Sequence, residues 1–204
     1  MSQPCDACAY PISNGTIPLM QINNYKNHLL IAMPSLRGEF FTKSVVYIYE
    51  HTEETGAVGF TINKPLSATI GNVMEHLTIP IKDKSIYDLP VFSGGPMGPD
   101  QGFVIHDRMA LAENDDDTEV TLSTSREILE DIANGKGPEH SIVVLGYASW
   151  EPGQLEKEIQ HNDWLLAPFQ KTILFNTPIS QRWVSAARLI GVDINKLSGQ
   201  IGHA

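Results

Sequence analysis

The sequence predicts an α+β protein with a mainly antiparallel sheet. Stretches that read as hairpins are interspersed with amphipathic helices and do not alternate strictly as β-α-β units. Two features carry this reading: Ser44 to Asn63 reads as a hairpin, and Ser141 to Pro168 packs a strand, a turn, a helix and a second strand into one segment.

Residues 1–26 are rich in Pro, Asn, Ser and Gly without periodicity, which predicts a flexible arm ahead of one domain over 27–204. Recognisable organisation begins just after Met20, a second candidate start. From His28, HLLIAMP reads as a strand ended by Pro34. SVVYIYEH alternates Val45, Tyr47 and Tyr49 against Val46, Ile48 and Glu50, the pattern of a half-buried strand. AVGFTIN pairs with it, Gly59 marking a bulge or a close backbone approach, and Asn63-Lys64-Pro65 turns the chain.

Thr69 is placed to cap a helix with Ile70, Val73, Met74 and Leu77 inward. LPVFSGGPMGPDQGFVIHD reads as strand, glycine turn, strand. The turn matches neither dinucleotide nor phosphate-loop spacing, and Pro96 and Pro99 remove two N–H groups. Thr118 to Leu122 reads as a short strand, and Thr124 with Glu127 as a capping box for a helix closed at Gly135.

In the Ser141 to Pro168 segment the apolar run Ile142 to Leu145 reads as a buried strand stopping at Gly146. Pro152 suits the first helical position, making Glu151 the N-cap, letting Gln154 reach back to the cap N–H, and allowing Trp150 to staple onto Leu155. Asn162 suits a left-handed close, and Trp164 opens the next strand. Lys171 to Asn176 reads as a further strand, and Ser180 as the cap of a final helix with Trp183, Ala186, Ala187 and Ile190 inward, ended by Gly191.

At 204 residues the chain can bury roughly 70% of its unfolded surface as a single domain. Twenty-four acidic against 14 basic side chains give a net charge of -10, which disfavours direct nucleic-acid binding. No apolar run approaches the roughly 20 residues of a membrane span, and the start lacks a secretory pattern, so a cytoplasmic protein is expected. Cys5 and Cys8, the only cysteines, have CxxC spacing without a second ligand pair, and Asn114 to Asp117 lacks the alternation of a calcium loop, so no cofactor or metal is expected.

The candidate binding residues are polar or aromatic groups at strand ends and turns: Glu50, His51, Asn63, Lys64, His106, Tyr147, Trp150, Gln154, Glu156 and Asn162. Each also has a structural reading, as a turn holder, cap or staple. Acid/base catalysis by Glu50 with His51, or His106 with Asp107, is weakened because adjacent strand residues face opposite ways. It would need His51, His106 and Glu156 to converge in a cleft.

Four blocks in order, LIAMPSL with Phe41 and SVVYIYEH; GAVGFTINKPL; PVFSGGP with GFVIHD; and GYASWEPGQLEKEIQHNDW, resemble the bacterial YqgE/AlgH family. So do Trp183, Leu189, Gly191, Asp193, Leu197, Ser198 and Gly202-His203-Ala204 at the close of the chain. The resemblance implies a compact α+β fold on a barrel-like sheet. It also implies a regulatory role, since members have been called transcriptional regulators through a suggested role in alginate synthesis. It supplies no catalytic residue set. The expectation is a non-catalytic regulatory or binding protein with a protein or small-molecule partner, the alternative being a hydrolase-type enzyme using His51, His106 and Glu156.

Overall fold

The computed structural model describes residues 24–107 and 120–198, apart from 37 and 39. The Cys5–Cys8 pair and the Asn114 to Asp117 run lie outside the described residues. Among these residues nine strands form one sheet: β1 (His28–Ala32), β2 (Val45–Thr52), β3 (Gly56–Thr61), β4 (Pro65–Thr69), β5 (Pro90–Ser93), β6 (Met97–His106), β7 (Thr121–Ser123), β8 (Ser141–Trp150) and β9 (Trp164–Pro168). Among the described residues five α-helices flank it: α1 (Ile70–His76), α2 (Arg126–Ala133), α3 (Gln154–Gln160), α4 (Arg182–Arg188) and α5 (Ile194–Ser198).

The main path runs β4-β5-β8-β3-β2-β1-β9, with β6 on β8 and β7 on β6. All pairings are antiparallel except β5 with β8, so the sheet is mixed. It does not close among the described residues, which corrects the barrel-like expectation. The parallel pair arises because Ser93 to Pro99 is not a hairpin turn. Val143 and Val144 pair with β5 on one edge and with β6 on the other. Gly94-Gly95 therefore carries the chain across β8 and not back along β5.

The crossing explains three glycines at once. A Cβ on Gly94 would sit 2.2 Å from the Gly146 carbonyl oxygen, one on Gly95 1.8 Å from the Tyr147 carbonyl carbon, and one on Gly146 2.7 Å from the Gly95 oxygen. Two backbones touch there, and no side chain fits between them. Gly146 does not stop β8 as expected; it adopts φ 73° inside it. Ile142, Val144 and Tyr147 serve one apolar cluster, while Val143, Leu145, Ala148 and Trp150 serve the two clusters on the opposite face. The alternation therefore slips by one residue at Gly146, as in a bulge.

Strand β1 is buried throughout its apolar residues because both faces are covered. Leu29 and Ile31 join the cluster under α4, including Trp183, Ala186 and Ala187, while Leu30 and Ala32 join Trp150, Leu155 and Trp164 around α3. The same holds for Val45 to Ile48, so the first half of β2 is fully buried and not half-buried. Helices α1 and α2 cover the β5-β8-β6 region through Ile70, Met74, Ile128 and Ile132.

Thr69 caps α1 as expected, and Asn72 completes a capping box that was not anticipated. The cap of α2 is Ser125, one residue later than expected, without a side-chain cap bond. Residues Thr172–Asn176 form a π-helical turn where a strand was expected, closed by the Thr177 N–H on the Thr172 carbonyl at 2.8 Å. Ile173 and Leu174 are adjacent and share one cluster, which a strand would send to opposite faces. Gln181, not Ser180, precedes α4, and α5 was not anticipated.

Candidate functional site

The polar residues singled out in the sequence separate into three places. The first lies around α3. Its N-cap is Gly153 in the left-handed conformation, not Glu151, yet the Gln154 side chain reaches back as expected and accepts the Glu151 N–H at 3.0 Å. Gln154 also donates to Glu158 Oε1 at 2.8 Å. Glu158 Oε2 accepts the indole N–H groups of both Trp150 and Trp164, each at 2.9 Å. One carboxylate thus ties the end of β8 to the start of β9 through two buried rings that meet edge to face. Asn162 closes the helix with φ 59°.

On the same side, His51 meets Glu156. Its Nε2 lies 2.8 Å from Glu156 Oε1, and its Nδ1 accepts the backbone N–H of Tyr25 at 3.1 Å. A backbone N–H can only donate, so Nδ1 is the acceptor and Nε2 carries the proton given to Glu156. The ring is 3% exposed and packs on Tyr25 at 4.7 Å between centroids. Burial, then the Glu156 charge, raises the Tyr25 phenol above its ordinary range.

This meeting depends on an irregularity in β2. The register shifts between Ile48 and Glu50, so Tyr49 is bulged. Beyond it His51 stands opposite Ala57 and shares the face of Ile48, where α3 packs, and Glu50 stays exposed. Strict alternation would have put His51 with Tyr47, away from α3.

His106 sits elsewhere. It pairs with Ser141 at the start of β8, whereas His51 is level with Ala57, which pairs with Trp150 at its end. Nine residues of strand at about 3.3 Å each put these places about 30 Å apart. His106 is 5% exposed, with Nδ1 2.6 Å from the Asp107 carbonyl and Nε2 2.9 Å from the Ser123 hydroxyl. Next to it, Asp107, Glu139 and His140 bring possible metal-ligand atoms within 4.8 Å of one another. Asp107 already accepts from the His140 ring at 3.0 Å and from its backbone N–H at 3.2 Å. Sequence reasoning missed this group because strand pairing, not sequence proximity, joins Asp107 to His140. Tyr147 lies half-buried against Phe103, apart from both histidines.

Asn63 and Lys64 occupy a third place, a corner at the ends of β2 and β3. Asn63 accepts the Val45 N–H at 2.8 Å and donates to the Lys43 carbonyl at 2.9 Å, holding Lys43 in a left-handed conformation with φ 54°. Lys64 Nζ donates to the Thr42 carbonyl at 2.6 Å. A shallow hollow of about 570 Å3 is lined there by Lys43, Asn63, Lys64, Pro65, Ser180 and Trp183, among others. Another hollow, of about 540 Å3, lies where α1 and α2 face β6, with Leu77, Phe103 and Leu129 in its walls and His76, Ser123 and Arg126 among its polar groups.

These features define an open, mixed-sheet α+β protein in which the most motif-like polar residues bond to one another. No helix among the described residues is long and apolar enough to cross a membrane. The chain belongs to the AlgH-like family, whose model matches residues 29–195. It is similar to a UPF0301 protein of Coxiella burnetii strain RSA 493, 49% identical over 189 residues, covering 93% of this chain and 95% of that one. A UPF0301 protein of Pectobacterium atrosepticum is 46% identical, covering 89% and 100%. The solution structure of the AlgH protein from Pseudomonas aeruginosa matches with a TM-score of 0.69 at 36% identity, covering 94% of this chain and all of that one. A Corynebacterium diphtheriae crystal structure shares the fold, with a TM-score of 0.64 at 21% identity, covering 85% and 91%.

Proposed function

We propose that the protein works by binding, as a non-catalytic regulatory component of the cytoplasm that answers to a small ligand or a protein partner and does not read DNA. One observation carries this reading: His51 and His106 are buried, each has both ring nitrogens hydrogen-bonded, and they stand at opposite ends of β8. A general base needs a free nitrogen within reach of the proton it takes. His51 with Glu156 is the pairing that favours the hydrolase reading, but it lacks His106 and its ring offers no open position.

The two hollows supply places for a ligand, and the net charge of -10 opposes a polyphosphate backbone. A thermal-shift panel of nucleotides, phosphorylated metabolites and carboxylates tests the reading. A ligand that raises the melting point by several degrees is the expected result, since binding to the folded state alone stabilises it. A turnover abolished by His51→Gln or Glu156→Gln, in variants that remain folded, would replace binding with catalysis.

A further inference from the structure

The corner around Lys43 and Lys64 departs from the charge balance of the whole chain. Acidic residues outnumber basic ones 24 to 14, yet no carboxylate lines this hollow. Behind it lies a third cation. Arg182 is 4% exposed, donates to the carbonyls of Ile62 and Thr177, and stands 5.2 Å from the Phe92 ring centre. Neither lysine nor Arg182 has an ion-pair partner among the described residues; the pairs seen there involve His51, Arg126, His140 and Lys196. Lys43 and Lys64 therefore line one hollow, with Arg182 buried beside its lining residue Trp183, and the contacts of all three are backbone carbonyls and aromatic faces, which supply only partial negative charge.

The lysines are held in place. Lys43 sits 5.7 Å from the Trp183 ring centre, and Asn63 holds its left-handed backbone through the Lys43 carbonyl and the Val45 N–H that follows it. A non-glycine residue in that conformation costs free energy, so the surrounding bonds must fix it. Lys64 gives one N–H to Thr42, and an ammonium carries three. Ser180 also lines the hollow.

Resting on the binding reading above, we infer that this corner is an anion site that takes the phosphate group of a small molecule, with Lys43 and Lys64 as the charged contacts and Ser180 as a hydroxyl donor. Two ammonium groups match a phosphate dianion better than a single carboxylate. The acidic remainder of the surface disfavours a long polyanion, so a small phosphorylated compound fits where nucleic acid does not. Burial already lowers the Lys64 pKa, and a bound anion would oppose that shift.

The test is a titration of the 15N-labelled full chain with inorganic phosphate and then pyrophosphate, at constant ionic strength held with chloride. Saturable shifts confined to the amides of residues 42–45, 63, 64 and 179–183 are expected. Lys43→Ala and Lys64→Met should each weaken binding at least about tenfold while leaving the spectrum of the free protein native, because Lys43 is exposed and methionine keeps the Lys64 stem. Non-saturating shifts, or equal affinity in both lysine variants, would overturn the site. Phosphate shifts mapping to the α1–α2 hollow, with the corner silent, would overturn it and leave the binding reading standing. If acetate bound as tightly as phosphate, the site would not be a phosphate site.

Discussion

Glu158 shows how a carboxylate can be spent on architecture. It receives two indole N–H groups and a glutamine amide, so the charge-assisted bonds it makes join β8, α3 and β9. Glu158→Gln keeps the shape but loses the charge, and it should lower the unfolding free energy by about 1–2 kcal/mol in urea denaturation. His51→Ala should cost more, about 2–3 kcal/mol, since it leaves the Tyr25 N–H and Glu156 without their shared partner and opens a buried space. A variant of either residue as stable as the parent would place that side chain in function and not in packing. Gln154 was legible in the sequence because a capping side chain acts within three residues. Glu158 was not, since nothing in its spacing tells that two tryptophans converge on it. His51 was legible as a candidate, and Gly59, read as a bulge or a close backbone approach, does face the irregularity, but nothing local told that the extra residue was Tyr49 in β2, which is what turns His51 toward Glu156.

At the level of elements, the legible features were those fixed by local chemistry: the Thr69 cap, the β2–β3 pair, the left-handed Asn162 and the end of α2 at Gly135. Thr69→Ala should cost about 1 kcal/mol, read from the same denaturation curves. The glycines at 94, 95 and 146 were read as turn and stop signals because strand crossing is a long-range event with the same local signature. Gly95→Ala should prevent native folding, since its methyl would fall within 1.8 Å of the Tyr147 carbonyl carbon; a soluble, native Gly95→Ala protein would refute the crossing. Thr172–Asn176 was misread for a different reason. A short apolar run bounded by turn residues fits a buried strand and a helical turn equally well, and only packing decides between them.

Across the whole molecule, the sheet is open and its centre is β8, paired on both edges and covered on both faces. The mixed sense was illegible because β5 and β8 are separated by β6, β7 and α2, and no local pattern records which edge a returning strand takes. The charge distribution was half legible: net charge followed from composition, but only the fold places Lys43 and Lys64 along one hollow without a carboxylate in its lining. Burial holds Arg182 at about 10, so it stays protonated at neutral pH and adds to the field there. β8 with α3 and β9 is expected to behave as a structural keel and not as a moving active-site segment. Native-state hydrogen exchange tests it most directly, because elements that open for function exchange by local opening, while a keel exchanges only by global unfolding. The β8 amides from Ile142 to Ala148 should show opening free energies equal to the global unfolding value and the full urea dependence. Exchange of these amides through an opening well below the global value, with little urea dependence, would show that the segment moves on its own and is no keel.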